Sequence, residues 1–149
     1  MKPSLAALLK FVGAIAACVC CLLAAGAGAM WWFARDMYAN TVILEAVAPD
    51  QKFKAVVFER DCGATTDFST QVSILSAADV LSNESGNVFV ADADHGRAPR
   101  GPGGGPDIRV SWRSDQRLRI AHHPSVRIFK SEPLKNGIEV EYVPNNPNG

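Results

Sequence analysis

Ile108-Arg109-Val110-Ser111-Trp112-Arg113-Ser114-Asp115-Gln116-Arg117-Leu118-Arg119-Ile120-Ala121-His122 decides the fold of this chain. Ile108, Val110 and Trp112 fall on one side of an extended backbone and Arg109, Ser111 and Arg113 on the other, the period of two that marks a strand. Ser114-Asp115-Gln116 supplies a turn, after which Leu118, Ile120 and His122 share a face. Short runs of the same kind continue in both directions. Upstream, Thr41–Val47, Phe53–Glu59, Thr70–Leu75 and Asn87–Ala91 read as strands, the first two joined by the tight turn Pro49-Asp50-Gln51-Lys52. Phe53–Glu59 is largely apolar on both faces, which places it at the centre of a sheet, and Ser76–Leu81 is expected to form one helical turn capped by Ser76. Downstream, Val126–Lys130 and Ile138–Val143 read as a hairpin closed at Lys135-Asn136-Gly137, where Asn-Gly favours a tight turn. About eight strands and little helix predict an all-β fold, an antiparallel meander built as one twisted sheet or as a small sandwich of two.

Ahead of the strands, Phe11 to Phe33 runs 23 residues without a charge. At roughly 1.5 Å per residue such a helix crosses the roughly 30 Å hydrocarbon layer of a bilayer. Trp31, Trp32 and Phe33 close the run with aromatics that favour the headgroup level. Two other readings compete. Ala25-Gly26-Ala27 and Ala27-Gly28-Ala29 offer small-x-small cleavage sites, although the run exceeds the usual h-region of roughly 7 to 15 residues. Ile15-Ala16-Ala17-Cys18 matches a lipobox, although the residues after Cys18 stay apolar where a lipoprotein turns polar. An uncleaved anchor is the main reading. It divides the chain into a cytoplasmic N-terminus (1–10), a transmembrane anchor (11–33), a juxtamembrane linker (34–40), an extracytoplasmic β domain (41–143) and a disordered tail (144–149).

Lys2 and Lys10 precede the span while Arg35 after it is offset by Asp36, so the positive-inside rule puts the N-terminus in the cytoplasm and the domain outside. Lys2, Lys10 and Arg35 are three of the 15 basic residues; from Asp36 onward 12 basic residues face all 15 acidic ones, a net of −3. A mildly acidic domain argues against nucleic acid, which needs clustered, uncompensated Lys and Arg. Of the four cysteines, Cys18, Cys20 and Cys21 lie in the apolar span as small packing residues and only Cys62 belongs to the domain. A single domain cysteine excludes an internal disulfide framework.

Ala48-Pro49-Asp50-Gln51-Lys52-Phe53 resembles the strand-turn-strand element of TolB-like propeller blades, with Gln51 where Gly is common, and Val110-Ser111-Trp112 with Leu118-Arg119-Ile120 is similar to the next strand pair. Eight strands make two blades at most, too few for a closed ring. Lys54 to Leu75, centred on Asp61-Cys62-Gly63-Ala64-Thr65-Thr66 and Phe68-Ser69-Thr70-Gln71-Val72-Ser73-Ile74, resembles a family of small bacterial proteins of unknown function that carry an N-terminal membrane segment. The resemblance implies a bacterial envelope protein, anchored in the inner membrane with its domain in the periplasm or outside the cell. It implies no activity.

Cys62 is the sharpest candidate: a nucleophile or redox thiol beside Gly63, with Thr65, Thr66 and Ser69 as hydrogen-bonding groups, set against a cysteine that packs inward. Arg97 and Arg100, before Gly101-Pro102-Gly103-Gly104-Gly105-Pro106, offer an anion-binding loop, set against a mobile surface loop. His95, His122 and His123 with Asp92 and Asp94 are the residues a metal would need, but adjacent histidines on a strand point apart, so no metal is expected. His122 is expected at the core edge and His123 in solvent. Arg109, Arg113, Arg119 and Arg127 can line one sheet face, where Glu139 and Glu141 would pair with them. No cofactor is implied. A binding module for an envelope component or partner protein is the leading expectation, and a thiol-dependent enzyme using Cys62 the alternative.

Overall fold

The computed structural model describes residues 4–36, 40–61 and 68–145, and the chain divides into an N-terminal helical unit and a β unit. The helix α1 spans Leu5–Asp36. Its Ala- and Leu-rich sequence has high helix propensity and no interior proline. Within it, Leu9–Trp31 is long and apolar enough to cross a membrane, and its side chains are uncovered by protein, Leu22 being 72 % and Met30 70 % exposed.

The β unit has nine strands: β1 (Asn40–Val47), β2 (Phe53–Arg60), β3 (Ser69–Ser76), β4 (Phe89–Asp92), β5 (Ile108–Ser114), β6 (Arg117–His122), β7 (Arg127–Ser131), β8 (Leu134–Lys135) and β9 (Ile138–Pro144). They form a five-stranded sheet of order β1-β2-β3-β4-β7 and a four-stranded sheet of order β5-β6-β9-β8. The fold is all-β after one helix, and of the two forms expected it is the two-sheet one. β1 to β4 are a simple antiparallel meander. Val57, Val72, Phe89 and Ala91 of the first sheet share a buried cluster with Ile108, Leu118, Ile120, Ile138 and Val140 of the second. Fully burying each of the larger side chains contributes roughly 1.5 to 3 kcal/mol.

Two turns follow directly from residue chemistry. Between β1 and β2 the Gln51 amide donates to the Ala48 carbonyl at 2.9 Å, with Pro49 at the position its fixed φ suits and Gln51 itself at φ 59°. Glycine takes that left-handed geometry most readily, and here a non-glycine residue holds it. Between β8 and β9, Asn136 and Gly137 take φ 52° and 79°, the signature of a type I′ hairpin.

Four expectations need correction. The last hairpin is made by β8 and β9 alone; β7 leaves it to pair antiparallel with β4 in the first sheet. β9 then returns beside β6 in parallel, with Arg117 opposite Glu139 and Arg119 opposite Glu141, so the second sheet is not purely antiparallel. Ser76–Leu81 forms no helix: β3 runs through Ser76, and a turn closed by the Asp79 amide on the Ser76 carbonyl follows. β9 also continues through Pro144, and the Asn145 amide donates to the His122 carbonyl at 2.6 Å; residues 146–149 lie outside the described residues.

The far face of the first sheet is covered by the segment after β3. Register puts Gln71 beside Phe58 and Ser73 beside Val56. Gln71 Oε1 accepts from the Ser85 hydroxyl at 3.0 Å and the Gly86 amide at 2.6 Å, while the Ser73 hydroxyl accepts the Asn87 amide. Val56 and Phe58 are thereby buried at the sheet centre expected from their apolar run.

Candidate functional site

Cys62, Thr65 and Thr66 lie outside the described residues, so the geometry of the loop between β2 and β3 is given by its ends. Arg60 Nη1 donates to Asn40 Oδ1 at 2.8 Å, and the Ser69 hydroxyl donates back to the Arg60 carbonyl at 3.2 Å. Ser69, one of the hydroxyls considered as a partner for Cys62, thus helps to close the two strands. Arg97 pairs with Asp94 at 3.2 Å on the surface, and Arg100 forms an isolated bridge with Pro106. These two arginines flank the glycine-rich loop, but the loop does not stand free as a mobile element. The Gly101 amide donates to the Gly105 carbonyl at 2.7 Å, and the Thr70 hydroxyl to the Pro106 carbonyl at 2.7 Å, so Gly105 and Pro106 are buried against β3.

Glycine is required there by contact. A Cβ on Gly105 would fall 2.6 Å from Thr70 Oγ1 and 2.9 Å from the Thr70 amide nitrogen; one on Gly103 would fall 2.7 Å from Glu59 Oε2. The loop therefore covers Glu59, whose Oε2 is buried and accepts no hydrogen bond from the described residues. Burial pushes the Glu59 carboxyl above its ordinary range; the Gly105 amide opposes this and the charge of Asp61 adds to it. Glu59 was not singled out from the sequence. The available signal was its place on the same face as the core residues Ala55 and Val57.

The arginines do not share one face. Arg117 and Arg119 of β6 bind Glu139 and Glu141 of β9, both at 3.0 Å, and with Arg113 they line a groove of about 500 Å³ on the outer face of the second sheet. Arg109 pairs instead with Asp107 at 3.1 Å. Arg127 belongs to the other sheet, where it forks onto both oxygens of the buried Asp92 and lies 5.0 Å over the Phe129 ring. Burial raises the Asp92 carboxyl, but hydrogen bonds from Arg127 and the Asp94 amide, with the charges of Arg127 and His95, outweigh it and hold the carboxyl below its ordinary value.

No group of three or more His, Cys, Asp or Glu among the described residues is placed to hold a metal. His122 and His123 do meet a common feature, a cleft of about 80 Å³ also lined by Asp107, Arg109 and Asn145. His122 is 8 % exposed, at the core edge as expected, with its ring stacked 5.7 Å from Phe89. Phe89 stacks in turn on Tyr142 at 5.6 Å. His123 is half-buried, not free in solvent, because its Nδ1 accepts the Ser125 amide at 3.1 Å.

No family model matches the chain, and no curated protein or solved structure matches it either.

Proposed function

We propose that this chain is a membrane-tethered β module, anchored through α1 in the bacterial inner membrane with its N-terminus in the cytoplasm, which binds an envelope component or a partner protein outside. One observation carries the reading: an uncovered apolar helix segment, Leu9–Trp31, precedes β1 at Asn40 by only a few residues. That short separation suits a domain held close to a membrane surface. The lysines before the span support the orientation. The likeness of Lys54–Leu75 to small bacterial membrane-anchored proteins supports the compartment. Phosphatase and fluorescent-protein reporters fused after Gly149 test it together: phosphatase activity without fluorescence is the expected pattern, and a fluorescent, phosphatase-silent fusion overturns it. Extraction of the chain by alkaline carbonate without detergent would overturn the anchor.

A further inference from the structure

The turn between β8 and β9 joins two residues that can react with each other. In an Asn-Gly pair the backbone nitrogen of the second residue can attack the side-chain amide of the first, and glycine puts no side chain in its way. Elsewhere in the β unit the fold guards its asparagines. Asn40 Nδ2 donates to the Ser82 and Glu84 carbonyls at 2.9 and 2.7 Å and its Oδ1 accepts from Arg60, while the Asn87 side chain bonds both the amide and the carbonyl of Ile74 at 2.9 Å. Each of these is followed by a β-branched residue, Thr41 or Val88. Asn136 has neither restraint: it is exposed, its side chain makes no hydrogen bond among the described residues, and Gly137 follows it. A Cβ built on Gly137 would meet nothing within 4 Å, so the turn is open to solvent.

The pairing that closes the turn is also short. β8 has two residues, Leu134 opposite Glu139 and Lys135 opposite Ile138, and Leu134 is 60 % exposed. Asn136 and Gly137 sit at φ 52° and 79° in the closed turn, and the attack needs the Gly137 nitrogen swung onto Asn136 Cγ. An exposed loop tip opens in this way at little cost in free energy.

We infer that Asn136 is a site of spontaneous modification, deamidation through a cyclic imide with water as the only co-reactant. The Gly137 nitrogen gives up its proton and bonds to Asn136 Cγ; the Cγ–Nδ2 bond breaks and ammonia leaves. Water then opens the imide at either carbonyl and gives aspartate or isoaspartate, with no change of oxidation state. Both products carry a carboxylate where a neutral amide stood. In isoaspartate the backbone runs through the former side chain and gains a carbon, which a tight two-residue turn does not absorb, so the β8–β9 tip opens.

The test incubates the full chain in detergent micelles at mildly alkaline pH beside a synthetic peptide of residues 131–141, and follows both by peptide mass and by labelling with an isoaspartyl methyltransferase. The expected result is an amide-to-acid mass change and methyl labelling at Asn136, suppressed at mildly acidic pH, with Asn40 and Asn87 unchanged. Asn136 intact in the folded chain once the peptide has converted, or Asn40 or Asn87 converting as fast, overturns the assignment. The Val140 amide, which donates to the Pro133 carbonyl at 2.9 Å, reads the consequence. It should exchange with solvent severalfold faster in the isoaspartyl chain, while Asn136→Asp, with the same charge on a normal backbone, should exchange as the parent does. Exchange in the isoaspartyl chain equal to that of the parent or of the Asp variant overturns the opening of the tip.

Discussion

The indole Nε1 of Trp112 donates to the carbonyl of Ala46 at 2.8 Å, joining β5 of the second sheet to β1 of the first across 66 positions of chain. Trp112 is half-buried, so its ring packs on the core while its polar edge ties the sheets together. Trp112→Phe keeps most of the packing and removes the donor. It should cost about 1 kcal/mol in chemical unfolding, with an unchanged m-value; a variant as stable as the parent would show that the bond adds nothing.

Asp92 and Arg127 give the domain an acid-side dependence. The folded carboxyl titrates below its unfolded value of about 3.9, so its stabilising effect is complete above that value and disappears as pH falls through the folded one. Arg127→Ala strands a buried carboxylate and should cost about 1 to 3 kcal/mol at neutral pH. Melting curves from pH 7 down to pH 2 should show the variant losing less on acidification than the parent.

Glu59 acts in the other direction. Its folded carboxyl titrates above its unfolded value, so the stability it contributes is present at low pH and is lost as pH rises through the folded value. Glu59→Gln removes the ionisation at equal size and should raise stability at pH 7 by about 1 kcal/mol while flattening that slope. Within the loop above it, Gly105→Ala meets backbone of Ser69 and Thr70 and should cost about 1 to 3 kcal/mol. Gly103→Ala meets side-chain atoms of Glu59 and Ile43 and no backbone, and should cost less; equal melting temperatures for the two variants would refute this difference.

Tyr142 is a spectroscopic reporter of the second sheet. Its hydroxyl lies 2.7 Å from the Glu132 carbonyl and 3.0 Å from the Val88 carbonyl, and burial, with the charge of Glu132, pushes its pKa up to about 12 against the Glu132 hydrogen bond. The neutral form is the one the fold prefers, so stability falls as pH rises above about 10. A tyrosinate absorbance titration should contain a late step that Tyr142→Phe abolishes.

Local chemistry made much of this fold legible and long-range pairing did not. The Ile108–His122 hairpin and the Asn136-Gly137 turn are where side-chain period and turn preference placed them, because both signals are contained in adjacent residues. Nothing in the period of Arg127–Ser131 says whether its partner is β9 or β4; its exposed Ile128 and Phe129 alternate equally well at either edge. The parallel neighbour of β6 is hidden for the same reason, yet the Arg119–Glu141 pair was legible since opposite charges at matching period meet in either direction. The packing of Gly103–Gly105 over Glu59 escapes because glycine carries no side chain to signal burial. The cleft escapes because Asp107, His122 and Asn145 converge only after β5, β6 and the end of β9 are assembled.

The excursion of β7 also has a kinetic meaning. The chain leaves one sheet after His122, completes the edge of the other, and only then returns to lay β9 beside β6. The central pairing of the second sheet therefore joins segments separated by β7 and β8, a non-local contact that must meet its loop-closure entropy before it rewards folding. As the domain emerges, β5 and β6 must wait as an unprotected hairpin until the final segment has arrived. A chain truncated before β9 would leave β6 with an unpaired edge, the kind of edge that invites association.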